Sequence, residues 1–298
     1  MSSAAKPAGA SEMGAPVARP VPWLQLAWFT ALLILCYAPV LYRLVMQWNN
    51  DEDMGHGFFV PVVAGWIAWQ KRDELLDGGT RAEPLGLLLL VWGAFQLYIG
   101  TLGAELFLSR TAFIESIVGA VLFMGGWHAL RVLAFPLFLL VFMVPIPTVI
   151  YNQITFPLQL FASQVAAYTL ELIGIPVLRD GNVLELASQK LSVVEACSGI
   201  RSLLSLSFLS LVYGWFFDSK PWMKWVLLAC TIPIAIAANA FRVTITGILS
   251  EINPEYAHGT AHTASGWIIF MIALFFLVIT HQVIDQAYRR TLGKSKAV

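Results

Sequence analysis

Val193-Val194-Glu195-Ala196-Cys197-Ser198-Gly199-Ile200-Arg201-Ser202 marks the point where a polar, strand-prone segment gives way to a long apolar run. The run continues to Phe217 and is long enough to cross a bilayer as a helix. A thiol therefore stands at the polar edge of a membrane span. On a helix, positions four apart share a face, so Cys197 and Arg201 look the same way. Upstream, Val183-Leu184-Glu185-Leu186 and Leu191-Ser192-Val193-Val194-Glu195 read as two short strands. Ala187–Lys190 forms the turn between them, which predicts a hairpin leading directly into Cys197.

The rest of the chain has the same character. It is 58% hydrophobic and 12% charged, with a mean hydropathy of +0.73. That is too apolar for a soluble domain and leaves no room for a second one. The expected fold is an all-α polytopic membrane protein of about eight transmembrane helices, with an interfacial amphipathic helix and a short outer-face β-hairpin. Spans are predicted at about 23–46, 56–71, 84–102, 110–127, 129–147, 197–217, 222–249 and 262–287. Gly125-Gly126-Trp127-His128 is read as the break between the fourth and fifth, and Pro145-Ile146-Pro147 as the end of the fifth. Residues 1–22, rich in Ala, Pro, Ser and Gly, form a disordered tail. Residues 23–288 form one membrane domain, and residues 289–298 a basic tail. The first apolar run is too long for a signal peptide and has no small-residue cleavage site.

Charge orients the spans. Lys71, Arg72, Arg81, Lys220, Lys224, Arg289, Arg290, Lys294 and Lys296 all fall on one side, with Lys6, Arg19 and Arg131. By the positive-inside rule that side is cytoplasmic, so both termini lie inside. Residues 152–175 then begin and end outside. Gln153, Gln159, Ser163, Gln164 and Glu171 suit a helix lying in the outer interface, with a re-entrant pair as the alternative. The net charge is zero, so no basic surface argues for nucleic acid.

Depth brings the reactive groups together. A helix rises about 1.5 Å per residue through a core about 30 Å thick. Cys197 lies roughly 30 Å from Phe217, and Arg242 roughly 26 Å from Trp225, both measured up from the inner face. His262 opens the last span from the outside, so thiol, guanidinium and imidazole reach one level. An arginine inside an apolar run faces a cavity or a partner. Arg242 either forms a structural ion pair with Glu195, Glu171 or Glu115, or stabilises a thiolate or oxyanion. Asn239, three residues earlier, shares its face and offers a second donor. Arg201 either pairs with an acid or lines the site. His56, in Asp53-Met54-Gly55-His56-Gly57, either contacts substrate or caps the second span. His258 and His262, four apart, can share a face with Cys197 nearby, but no HExxH-type acid accompanies them and a metal is not expected. His262 is the preferred base for Cys197, and His258 a loop residue at the site's edge. Ser198, Ser202 and Ser205 read as a stripe for close helix packing. Cys36 and Cys230, inside apolar runs, read as inert buried thiols.

Ala196-Cys197-Ser198-Gly199-Ile200-Arg201, Asn239-Ala240-Phe241-Arg242-Val243 and His262-Thr263-Ala264-Ser265-Gly266-Trp267 resemble the exosortase/archaeosortase family of membrane cysteine transpeptidases. Asp53-Met54-Gly55-His56-Gly57-Phe58-Phe59-Val60-Pro61 is similar to that family's first-loop signature. The resemblance covers roughly residues 30–288. It implies a cell inner-membrane enzyme, working on the extracytoplasmic side without a cofactor. Its partners would be membrane lipid and exported proteins that carry a C-terminal Pro-Glu-Pro-type motif, a transmembrane helix and a basic tail. It implies that Cys197 forms an acyl-thioester, that Arg242 is the partner described as proton donor, and that His262 stabilises the transition state. Elementary chemistry redistributes those roles. A guanidinium does not readily release a proton but lowers a thiol pKa and holds an oxyanion, which leaves proton transfer to His262. Two other classes compete. One is a transporter that binds an anion through Arg201 and Arg242, although no internal repeat is visible and the polar set lies near one face. The other is a thiol-dependent membrane acyltransferase.

Overall fold

The computed structural model describes residues 23–77, 82–193, 199–257 and 259–295. The N-terminal tail, Glu195, Cys197 and His258 lie outside the described residues, and for Arg201 and His262 only the helical backbone is described.

The chain opens with α1 (Trp23–Asn50), 28 residues long with Pro39 inside. A 3-10 segment (Glu52–Phe58) turns it into α2 (Phe59–Gln70) and the short α3 (Arg72–Asp77). Then come α4 (Pro84–Leu102) and α5 (Leu106–Val132). Pro84 sits in the first turn of α4, where its missing N–H costs nothing. The Glu105 carboxylate caps α5 by accepting from the Leu108 N–H. The two helices pack through small residues at spacing seven. A Cβ on Gly86 would fall 2.2 Å from the Phe123 backbone nitrogen, and one on Gly93 would fall 2.4 Å from Ser116 Oγ. Tyr37 of α1 is bound to this seam, with its hydroxyl 2.7 Å from Ser116 Oγ and donating to the Ala112 carbonyl at 3.1 Å.

The helical run of α5 is interrupted where the sequence predicts a break. Gly126 adopts the non-helical φ 65°, ψ −166°, and a second helical run continues past this kink to Val132. The expected fifth span begins with that second run and continues as α6 (Ala134–Leu139) with a 3-10 end at Leu140–Met143. After Pro145 and Pro147 the chain bends by 84° into α7 (Thr148–Leu172). Three strands follow, β1 (Val177–Asp180), β2 (Val183–Leu186) and β3 (Lys190–Ser192), in an antiparallel sheet of order β1-β2-β3. The predicted hairpin is β2–β3, with Leu184 opposite Leu191. The sequence pattern missed the edge strand β1, in which Leu178, Arg179 and Asp180 are all exposed.

The last three helices are α8 (Gly199–Phe217), α9 (Met223–Ile252) and α10 (Gly259–Ser295), with a 3-10 turn at Pro254–Ala257 between the latter two. Among the described residues, five helices are long and apolar enough to cross a membrane, or six if the bent pair α6–α7 counts as one span. Trp66, Trp92, Phe95 and Phe275 are more than half exposed, as side chains facing lipid would be. Inside, one apolar cluster joins α1, α2, α6 and α8, and another joins α8, α9 and α10. A third seats the sheet on α7 and α9.

Candidate functional site

α9 carries the two best-defined polar groups. Asn239 and Arg242 stand three residues apart on one helical face and are 8% and 7% exposed. A buried guanidinium in a spanning helix is expensive, and it persists where it serves a partner or a site. Among the described residues no ion pair joins Arg242 to Glu115, which keeps a buried oxygen without a hydrogen-bond partner, or to Glu171, which is exposed. The third expected acid, Glu195, lies outside the described residues.

The Arg242 guanidinium lies against α10. A Cβ on Gly266 would fall 3.0 Å from Arg242 Nη2 and 3.2 Å from Cζ, so the absent side chain there is what admits the charge. Gly266 stands four residues after His262, one turn along the same face of α10. The structure thus packs α10 at Gly266, one turn from the His262 position, on the Arg242 face of α9. Asn239 opens on a small cleft shared with Leu158 of α7, Leu203 of α8, Ala235 and Ile236. Leu203 lies two residues beyond Arg201, which puts this part of α8 beside Asn239.

The approach to Cys197 is set by the sheet. Val193, four residues earlier, is fully buried in one cluster with Leu184, Leu191 and, from α9, Ala240 and Val243. Ala240 and Val243 flank Arg242.

His56 is held on both ring nitrogens. Nε2 lies 3.2 Å from the Phe142 carbonyl and Nδ1 3.2 Å from Ser205 Oγ on α8. It does not cap α2, whose N-cap position is Phe58 without a side-chain cap bond. The imidazole pins the 3-10 segment to α8 about 9 Å along the helix from its first described residue, Gly199. Ser205, read in sequence as packing, is a hydrogen-bond partner instead. A bond across 149 positions leaves no signal in local spacing. His128 and His281 lie away from the site, bonded to the Glu74 carbonyl at 3.0 Å and to Asp218 Oδ2 at 2.9 Å.

Among the described residues no group of three or more His, Cys, Asp or Glu is arranged to hold a metal ion. The described surface of the site is therefore cationic and amide-bearing, made by Arg242 and Asn239 and backed by the His262 helix. Such fixed donors suit the stabilisation of a developing negative charge.

Residues 48–279, most of the chain, match the family described as transmembrane exosortase. Neither a curated protein nor a solved structure matches the chain.

Proposed function

We propose, from the premise that the chain belongs to the transmembrane exosortase family, that it is a membrane-embedded cysteine transpeptidase with Cys197 as nucleophile. Membership implies processing of sorting signals on exported proteins. The substrate on this reading carries a Pro-Glu-Pro-type motif, a transmembrane helix and a basic tail. The chain crosses the membrane eight times as one unit, residues 23–288, with both termini in the cytoplasm and the site at the outer face.

The reaction runs in two acyl transfers. In the first, the Cys197 thiolate attacks the scissile carbonyl and the C–N bond breaks. His262 takes the thiol proton and returns it to the leaving amine. Arg242 lowers the thiol pKa and, with the Asn239 amide, holds the oxyanion of the tetrahedral intermediate. In the second, an acceptor nucleophile attacks the thioester carbonyl, His262 accepts its proton, and the thiol leaves. Arg201, Glu195 and His258 line the substrate path, and His56 holds the 3-10 segment against α8.

The observation that carries this reading is the packing of the Arg242 guanidinium on Gly266, one turn from His262, beside an apolar cluster in which Ala240 and Val243 meet Val193, four residues before Cys197. The test is co-expression with a tagged sorting-signal protein. Cys197→Ser is expected to abolish the size shift, and mass spectrometry of the wild-type product to give the new C-terminus with its acceptor. Processing that survives Cys197→Ser sinks the proposal and favours the transporter or a thiol-independent enzyme. Arg242→Ala is expected to slow thioester formation about 10²–10³-fold, the usual loss for an oxyanion donor. A trapped acyl-enzyme that forms at the normal rate refutes the role of that arginine.

A further inference from the structure

The turn between β2 and β3 is tied to the outer end of α9 by a single carboxylate. The Ser188 backbone N–H donates to Glu251 Oε1 at 3.0 Å, and the Ser188 hydroxyl donates to the same oxygen at 2.7 Å. That hydroxyl also lies 3.3 Å from Ser250 Oγ, a residue with no exposure. The neighbouring Gln189 amide donates to the Pro254 carbonyl at 3.4 Å. Two consecutive turn residues thus grip the end of α9 and the short segment that leads into α10. An exposed turn N–H is ordinarily left to water, and here a carboxylate takes it in a charge-assisted bond.

We propose that Glu251 is a positioning residue for the transfer reaction, acting through Ser188 on the segment that carries Cys197. The inference rests on the function proposed above and goes beyond it. The turn joins the three reactive elements outside the helices themselves. Through β3 it continues to Cys197. Glu251 and Ser250 belong to the Arg242 helix, nine and eight residues beyond the arginine. Pro254 opens the link to the helix of His262. The clasp holds β3 in register, with Val183 opposite Ser192 and the Val193 N–H donating to the Asn182 carbonyl at 2.9 Å. The described chain is therefore fixed to α9 up to Val193, four residues before Cys197. Without the clasp the sheet keeps its apolar seat on α7 and α9, but its free turn no longer sets where the chain toward Cys197 departs. A misplacement of about 1 Å costs a reaction of this kind about a hundredfold.

The test uses full-length protein in membranes or detergent, with Cys36 and Cys230 replaced by Ala so that only Cys197 reports. Cleavage of a sorting-signal peptide gives kcat and KM, and iodoacetamide labelling across pH gives the thiol profile. Glu251→Ala is expected to lower kcat about ten- to a hundredfold with little change in KM. Its labelling profile is expected to move to higher pH, because the thiolate is no longer held beside Arg242. Glu251→Gln keeps a carbonyl oxygen that accepts both bonds from Ser188 and is expected to restore most of the rate. If Glu251→Ala does not accumulate as folded protein, Ser188→Ala, which removes only the hydroxyl bonds, is expected to give a smaller loss in the same direction. An unchanged kcat and labelling profile in these variants overturns the proposal. So does a loss confined to KM, or a Gln variant as impaired as Ala. Cys197→Ser, run in parallel, separates the two claims. Continued processing in it sinks the proposed function, whereas an inactive Cys197→Ser beside a fully active Glu251→Ala sinks only the clasp.

Discussion

Gly266 shows how much of the site depends on an atom that is missing. Its backbone is the surface on which the Arg242 guanidinium lies, and an added Cβ would stand 3.0 Å from Nη2. The neighbour is the end of a flexible side chain, so the guanidinium gives way by a few tenths of an ångström and the helices do not part. Gly266→Ala is therefore expected to leave thermal stability within about 1 kcal/mol of wild type, since alanine also favours the helix. The same variant is expected to lower the rate of thioester formation about tenfold or more. Thermal unfolding and single-turnover kinetics read the two effects separately, and an unchanged rate removes the packing from the mechanism. Arg242 and Asn239 were legible in sequence because polar groups inside an apolar run stand out against it. Gly266 was not, because a helical glycine has many uses and only the facing side chain tells which applies. Arg110 opens the predicted fourth span, and α5 starts four residues earlier, at Leu106, and draws it in to 4% exposure.

At the scale of elements, hydropathy located most of the helices and did poorly at their joints. Gly125-Gly126 signals a departure from helical geometry, and the structure has it at Gly126, with φ 65°, ψ −166°. The strands were legible as β-prone runs ending before Cys197. The third was hidden because three of its four residues face outward. The α4–α5 hairpin offers a test of how the small residues act. Without a hydrophobic drive between helices in lipid, association relies on close packing, and small residues permit it. At Gly86 an added Cβ meets backbone, 2.2 Å from the Phe123 nitrogen and 2.6 Å from the Gly119 carbonyl oxygen, and backbone cannot turn aside. Gly86→Ala is expected to destabilise by about 1–3 kcal/mol, as overpacking does. Gly65 of α2, with nothing within 4 Å of its added Cβ, is the control. Gly65→Ala is expected to be neutral or stabilising by up to about 1 kcal/mol. Thermal unfolding in one detergent compares them, and equal effects at the two positions would deny the seam its role.

Across the whole molecule, the helices that bear the proposed reactive groups are tied at both ends. One tie is the Glu251 clasp. The other, the inner one on the proposed topology, joins the end of α8 to α10 through a chain of polar contacts. Tyr213 Oη lies 3.1 Å from His281 Nδ1, and His281 Nε2 lies 2.9 Å from Asp218 Oδ2. Lys220 Nζ bridges Asp218 at 3.2 Å and Asp285 at 2.6 Å, and Arg289 donates to Asp285 at 2.7 Å. Between the ties runs an apolar seam of Leu206, Leu227, Ala273 and Leu277. His281 stands 19 residues beyond His262, about 28 Å along α10, so the inner tie is remote from the chemistry. Its charge bias was legible in sequence as an excess of Lys and Arg on one side, but its pairing was not, because the partners come from segments more than sixty residues apart. The tie has a pH signature. Burial alone would raise the Asp218 pKa, but the hydrogen bonds from His281 and Lys220 outweigh it and hold the carboxyl below its ordinary value. A carboxylate depressed in the folded state stabilises at neutral pH, and that contribution is lost as pH falls through the folded value. Wild-type thermal stability is therefore expected to drop as pH is lowered from about 5 toward 3. Asp218→Asn, which cannot titrate, is expected to be less stable at pH 7 and to show a shallower fall over the same interval. Parallel acid limbs in the two proteins would mean that the inner tie holds the helices without its charge.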